Sequence, residues 1–418
     1  MKYVSTRSSA GKVDAAQAIV AGLAPDGGLY VPESFLAFAL GRVKDMAEQP
    51  YPDRAREVMG AYLTDFSEAE LRACARQAYA PERFGDCPAP LKAVGDLHVL
   101  ELWHGPTHAF KDMALQMLPR LMPLAMKKTG VDKQVFILVA TSGDTGKAAL
   151  EGFCGVEGTQ VGVFYPVDGV SPAQKLQMIT QEGENTHVCA VKGNFDDAQT
   201  GVKRIFGDEA FARELAEKGV ELSSANSINW GRLVPQVAYY FSAYADLLKK
   251  GVIALGDEVN FCVPTGNFGN ILAAYYAKRM GLPVGKLVCA SNANNVLFDF
   301  IEQGVYNANR PFHKTTSPSM DILVSSNLER LLYELCDRDG ALVASWMQAL
   351  KSGGTYAVGE AVHRALMESF AAGWADDEKA MEAIARVHAE CDYTMDPHTA
   401  VAWSVAEAYR AHTGDRRP

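Results

Sequence analysis

No stretch of the 418 residues is long and apolar enough to cross a bilayer. The longest apolar runs, such as Val135-Phe136-Ile137-Leu138-Val139-Ala140, are strand-length, whereas a spanning helix needs about 20 residues. No Cys-x-x-Cys pair occurs. The cysteines are scattered at Cys74, Cys87, Cys154, Cys189, Cys262, Cys289, Cys336 and Cys391, which speaks against a zinc site or a disulfide framework. Cys262 and Cys289 lie inside apolar runs and read as small core residues. Basic blocks are missing too. With a net charge of −10, nucleic acid is not an expected partner. Met1-Lys2-Tyr3-Val4-Ser5-Thr6-Arg7 lacks the apolar centre of a signal peptide. The expected compartment is therefore the cytoplasm. Internal repeats and low-complexity segments are absent.

The composition is that of ordinary globular domains, and the length allows two or three of them with well-filled cores. Residues 1–95 read as a mainly helical N-terminal domain. In it, Asp26-Gly27-Gly28 marks a turn before a short strand at Leu29-Tyr30-Val31. Ser67-Glu68-Ala69-Glu70 is a capping box that opens a helix to about Tyr79. Cys87-Pro88-Ala89-Pro90 reads as a linker. From Leu97 onward, strands and helices alternate. Candidate strands are 97–103, 135–140, 160–165, 186–191, 259–263 and 286–290, short and nearly continuously apolar, as buried parallel strands are. Ser171-Pro172 predicts a capped helix start, and 196–218 and 229–250 carry helical spacing. Pro119 and Pro123 are expected to kink or shorten the helix after Lys111. Strands are expected to stop beyond about residue 325. The predicted fold class is α/β, with open, mostly parallel sheets flanked by helices. Residues 96–295 would form the α/β region as a large and a small subdomain. Residues 296–418 would form a mostly helical C-terminal part of the large one.

Three motifs sit where strands end or helices begin, which is where open α/β sheets bind ligands. The first is His104-Gly105-Pro106-Thr107-His108-Ala109-Phe110-Lys111-Asp112. A lysine after such a turn is usually a solvated surface residue. Desolvated by Ala109 and Phe110, Lys111 would instead suit imine chemistry. The second is Thr141-Ser142-Gly143-Asp144-Thr145-Gly146. Its plain role is a helix cap, and its hydroxyls and free amides also suit a carboxylate. The third is Gly266-Asn267-Phe268-Gly269-Asn270, expected before a helix at 271–280. It departs from the dinucleotide and Walker patterns. As a glycine-rich turn at a helix start it suits a phosphate, and an unliganded tight turn fits it equally. Asn226-Ser227-Ile228-Asn229-Trp230-Gly231-Arg232 opens a further helix. There Arg232 is either an exposed first-turn arginine or a bidentate phosphate ligand. His104 and His108 lack metal-ligand spacing and read as structural, so no metal is expected. Asp396-Pro397 reads as a cap near Asp392 and His398.

The three motifs, in this order, resemble those of threonine synthase, specifically its microbial and fungal branch. Ser224-Ala225-Asn226-Ser227-Ile228-Asn229 and Met395-Asp396-Pro397-His398-Thr399-Ala400-Val401-Ala402 carry the resemblance further. So does Gly22-Leu23-Ala24-Pro25-Asp26-Gly27-Gly28-Leu29-Tyr30-Val31-Pro32, and the likeness runs from residue 3 to about 405. It implies a fold-type II enzyme using pyridoxal 5'-phosphate. Lys111 would be the Schiff-base lysine, and Gly266, Asn267, Phe268, Gly269 and Asn270 would cradle the cofactor phosphate. Thr141, Ser142, Asp144 and Thr145 would face the substrate carboxylate. Ser227, Asn229 and Arg232 would lie towards the substrate phosphate. The implied reaction turns O-phospho-L-homoserine and water into L-threonine and phosphate, the last step of threonine biosynthesis.

Relative to that family, the chain stops at Pro418, before a terminal strand and a hydroxyl that meets the pyridine nitrogen. The expectation is a truncated enzyme of low turnover that still binds cofactor. Alternatives are a phospho-lyase that ends at 2-oxobutyrate, a non-catalytic cofactor-binding relative, and a plain anion-binding α/β protein. Oligomeric state is not legible in the sequence.

Overall fold

Two separate parallel sheets frame the molecule. The computed structural model describes residues 1–8, 11–141, 143–167, 169–193 and 195–418. The first sheet has four strands in the order Thr186–Val191, Thr159–Pro166, Gln134–Ala140, Val220–Ser224. The second has three, in the order Phe370–Trp374, Val284–Ser291, Val259–Pro264. Ile137, Val139, Val161 and Val163 are fully buried. Continuous burial of this kind is why the central strands read as unbroken apolar runs rather than alternating ones.

Four strand expectations change. The segment at 97–103 is not a parallel strand. Leu97–Leu100 pairs antiparallel with Leu91–Val94. Val220–Ser224, absent from the expected strands, forms an edge of the first sheet. Strands also continue past residue 325: Thr355–Ala357 pairs with Val305–Asn307, and Phe370–Trp374 pairs with Val284–Ser291. Phe370-Ala371-Ala372-Gly373-Trp374 has no β-branched residue and an Ala-Ala-Gly centre, so its aromatic ends leave only a weak local strand signal. Packing explains its composition. A Cβ on Gly373 would stand 2.7 Å from Val405 Cγ1 of the helix Pro397–Thr413.

The local helix signals hold. Ser67 caps Glu68–Ala78 by accepting from Glu70 N–H, and Ser171 caps Pro172–Ile179 by accepting from Gln174 N–H. The segment at 196–218 is two helices, Phe195–Gly207 and Glu209–Glu217. Asp208 separates them by capping the second. The chain after Lys111 is also two helices, Asp112–Leu115 and Leu118–Thr129, with Pro119 in the first turn of the second.

The helix Trp230–Lys249 is buried on nearly every face, as expected of a helix that is apolar all round. It packs against Tyr51–Gly60, Leu40–Met46, Asp112–Leu115 and Gly269–Arg279. Arg54 pins the N-terminal helices to it. Its guanidinium donates to Ser242 Oγ at 2.9 Å and to Asp246 Oδ1 at 2.6 Å. The backbone oxygens of Gln49 and Ala47 take further protons of the same group. Among the described residues, no helix is long and apolar enough to cross a membrane.

Candidate active site

The turn that delivers Lys111 is closed by its own neighbour. Asp112 is fully buried, and its carboxylate accepts from Thr107 N–H at 2.8 Å and from Thr107 Oγ1 at 2.7 Å. Burial pushes the Asp112 carboxyl above its usual range despite those hydrogen bonds. Gly105 lies so close that a Cβ there would meet the Asp112 Cβ at 2.4 Å. The turn therefore requires glycine, and it throws the Lys111 side chain into a cavity of about 1820 Å³.

Inside that cavity Lys111 Nζ donates to Asp144 Oδ2 and to Ser319 Oγ, each at 3.2 Å, and lies 4.8 Å from the Phe110 ring centroid. Ser319 Oγ itself donates to Asp144 Oδ2 at 2.5 Å. The other oxygen of Asp144 accepts from Gln174 Nε2 at 2.6 Å. The Lys111 charge, helped by the Ser319 hydrogen bond, outweighs burial and holds the Asp144 carboxyl well below the usual carboxylate range. Asp144 is also the first residue of the helix Asp144–Phe153, where the helix dipole favours a negative charge.

This geometry changes the picture of the second motif. Asp144 is the counter-ion of Lys111, and an anion in that place repels a substrate carboxylate. Thr141 Oγ1 is spent on its own turn, accepting from Gly143 N–H at 2.9 Å and Gly146 N–H at 3.0 Å. Thr145 lines the cavity. Ser142 lies outside the described residues.

The third motif is a cradle. It follows the strand Val259–Pro264 and opens the helix Gly269–Arg279, two residues earlier than expected. Phe268, rather than a glycine, takes the left-handed conformation, with φ of 63°. Its buried ring, 5.7 Å from that of Phe370, supports the strain. Gly266 is needed for close approach, since a Cβ there would stand 2.6 Å from the Ser319 carbonyl oxygen. Among the described residues, no protein acceptor is paired with the backbone amides of residues 266–270. The carbonyls of the loop are tied back by Asn327, which donates through N–H and Nδ2 to Asn267 O, and by Ser325 Oγ, which donates to Gly266 O. Tyr239 and Tyr240 both donate to Asn270 Oδ1, at 2.5 and 2.6 Å. That fixes the Asn270 amide with its NH₂ as the remaining donor. Ser319 joins the two halves of the site, with its carbonyl against Gly266 and its hydroxyl against Lys111.

The residues of the 226–232 motif separate into three roles. Asn229 does not line the cavity. It is fully buried and caps the helix Trp230–Lys249, accepting from Gly231 N–H and donating to the carbonyls of Ile19 and Ser224, each within 2.9 Å. The side chain of Ser227 lies beside Gly269, at the cradle. Arg232 is buried rather than exposed. Its Nη1 donates to Ala225 O at 2.5 Å, while its Nε is buried without a partner. Burial lowers the guanidinium to about 10, so it stays charged at neutral pH. An unpaired buried cation at a cavity wall suits an anion.

Sequence reasoning missed Ser319, Gln174, Asn327 and Arg330. Arg330 is fully buried and donates to Asn327 Oδ1 and to the carbonyls of Tyr30 and Ile228. These residues come from loops and helix faces far along the chain from any motif, so no local pattern marks them. Asp396 does cap its helix, accepting from the backbone N–H groups of His398 and Thr399. His104 bonds Glu101 at 2.8 Å and stacks on Trp103, a structural role as expected. Among the described residues, no cluster of three His, Cys, Asp or Glu side chains is placed to hold a metal.

Comparison with known proteins gives concordant results. The family model for the threonine synthase N terminus matches residues 2–79, and that for pyridoxal-phosphate dependent enzymes matches residues 86–417. The threonine synthase of Pseudomonas aeruginosa is 41% identical over 98% of this chain and 85% of its own length. Human threonine synthase-like 1 is 42% identical over 95% of this chain, which spans only 54% of that relative. The pyridoxal-phosphate-bound threonine synthase of Brucella melitensis superposes with a TM-score of 0.91 at 40% identity, covering 100% of this chain and 87% of that one.

Proposed function

The chain belongs to the threonine synthases, a family of pyridoxal-phosphate dependent lyases, and on that premise we propose that it converts O-phospho-L-homoserine and water to L-threonine and phosphate. The observation that carries the reading is the position of Ser319, which brings the Lys111 amine and the unpaired amides of residues 266–270 to one place. An amine beside an anion cradle fits an aldehyde that bears a phosphate. When bound, the cofactor supplies a conjugated ring that stores the charge left at the substrate carbons.

The protein supplies the rest. The amides of Gly266, Asn267, Phe268, Gly269 and Asn270 hold the cofactor phosphate, helped by the helix dipole. Ser227 flanks the same cradle. Lys111 would anchor the cofactor, and its amine moves the proton at the substrate Cα. Asp144 orients the amine and balances its charge. Arg232, which lines the cavity with its charge unmatched by a carboxylate among the described residues, receives the substrate phosphate, and Thr145 with its neighbouring helix amides faces the carboxylate. In the net reaction the Cγ–O bond breaks and phosphate departs. Protons lost from Cα and Cβ are returned at Cγ and Cα, and water adds its hydroxyl at Cβ while its remaining proton ends on the departed phosphate. The expected setting is the cytoplasm.

A second outcome draws on the same Lys111 amine and the same unpaired amides of residues 266–270. It is elimination that stops at 2-oxobutyrate. One experiment addresses both. The cofactor-loaded protein is reduced with borohydride and digested, and the labelled peptide is identified by mass spectrometry. The unreduced protein is given O-phosphohomoserine, and threonine, 2-oxobutyrate and phosphate are measured. A label on Lys111 with threonine matching phosphate supports the proposal. A label elsewhere removes Lys111 from its role, and 2-oxobutyrate in place of threonine selects the second outcome.

A further inference from the structure

Lys111, Asp144 and Ser319 form a closed ring of hydrogen bonds. The amine donates to both partners at 3.2 Å, and the hydroxyl donates to the same carboxylate oxygen, Oδ2, that the amine uses. Nothing in the motifs calls for Ser319, which stands 208 residues from Lys111. Its segment is nevertheless held firmly on three sides. Ser319 N–H donates to His398 Nε2 at 3.2 Å. His398 Nδ1 faces Asp396 Oδ1 at 2.9 Å, so Nδ1 carries the proton and Nε2 is left to accept. Two residues on, Asp321 Oδ1 accepts from Asn292, Asn294 and Thr315 at 2.7–2.9 Å. The Ser319 carbonyl packs against Gly266. A loop residue fixed from both flanks, with its one functional atom aimed at a lysine, is preorganised.

We propose that Ser319 is a positioning residue for Lys111: its hydroxyl, on a backbone whose N–H is held by His398, shares the Asp144 carboxylate with the amine and tempers the grip of that carboxylate on the proton at Nζ. The proposal rests on the role given to Lys111 above. A donated hydrogen bond disperses the charge on Asp144 Oδ2. Without it Nζ loses one neutral acceptor but faces the undispersed charge of the carboxylate, and the charge, the stronger of the two partners, favours the protonated amine. The other charged or titratable groups facing the ring are His398 and Asp396, on the first turn of the helix Pro397–Thr413. Gln174 meets the far oxygen of Asp144 and carries no charge.

The test compares wild type, Ser319→Ala and Ser319→Thr. On apoprotein, trace acetylation of Lys111 is followed against pH by peptide mass spectrometry. On loaded protein, visible absorbance is followed over the same range. The expected result is an alkaline shift of both profiles in Ser319→Ala, by about half a pH unit or more, with Ser319→Thr close to wild type. A purely structural role would change melting temperature or cofactor affinity and leave the profiles in place. An unmoved profile, an acid shift, or a threonine variant that behaves like alanine overturns the proposal. If borohydride labels a different lysine in wild type, the reading of Lys111 has failed instead, and the two failures are distinguishable.

Discussion

A lysine and an aspartate within 3.2 Å of each other in a cavity wall make a statement about pH. The folded Asp144 carboxyl lies below its unfolded value, chiefly because of Lys111. Its contribution to stability is therefore fully present above about pH 4 and is lost as pH falls through the depressed folded value. Thermal melting of apoprotein is expected to show wild type above Asp144→Asn at neutral pH, with the gap closing below about pH 4. A gap that stays constant into acid would mean that the pair is not coupled to folding. Arg232 makes a second case. Arg232→Lys keeps a charge but loses the planar fork that reaches Ala225 O and leaves Nε free. The KM for O-phosphohomoserine should rise about tenfold or more, equivalent to ~1.4 kcal/mol, with the cofactor spectrum intact. A changed spectrum with unchanged KM would move Arg232 to the cofactor. At this scale the motifs name Lys111 and Arg232 but not their partners. Asp144 was legible as a polar loop residue, yet its pairing with Lys111 depends on how the turn before Asp112 meets the end of the strand Gln134–Ala140, which no spacing encodes.

Single elements divide by whether their signal is local. The capping residues Ser67 and Ser171 act within one turn, and the sequence shows them plainly. Asn229 was visible as a polar residue at a helix start, but its two carbonyl partners are not, because Ile19 belongs to a helix 210 residues away. Asn229→Ala should cost about 2–3 kcal/mol in urea unfolding, for the cap and the orphaned carbonyls together. A cost within a few tenths of a kcal/mol would show that water replaces the side chain there. The strand Phe370–Trp374 is hard to read for the complementary reason. Its alanines and glycine are chosen by the helix lying across it, and that helix comes later in the chain. In the cradle the two glycines are not equivalent. At Gly269 a Cβ would meet nothing nearer than 3.5 Å, against 2.6 Å to a backbone oxygen at Gly266. Gly266→Ala is expected to weaken cofactor binding at least about tenfold in an absorbance titration, whereas Gly269→Ala is expected to change it little. The reverse order would place the steric limit at the helix start.

At the scale of the whole molecule, the α/β class and the positions of both ligand loops followed from strand-length apolar runs and the glycines after them. Which strands share a sheet, and in what order, did not, since local pattern says nothing about pairing. The joint between the N-terminal helices and the rest is equally non-local. Arg54 and Asp246 are separated by 192 residues and are mostly buried. Breaking a buried pair from one side costs about 3–5 kcal/mol, so Arg54→Ala is expected to lower the unfolding free energy by about 3 kcal/mol, less if water reaches Asp246. Equal stability would mean that these helices dock without it. The ring around Lys111 carries a different implication, one of timing. Its members enter the chain at positions 111, 144 and 319, and the residue that steadies the last of them is 398. During synthesis the N-terminal portions of a chain fold first, yet here an early lysine must wait for nearly the last helix. Until residue 398 has left the ribosome, the Ser319 N–H lacks the imidazole that steadies it, and the ring around Lys111 is without that support. Cofactor capture through Lys111 is thus expected to follow the emergence of residue 398 rather than of the lysine itself.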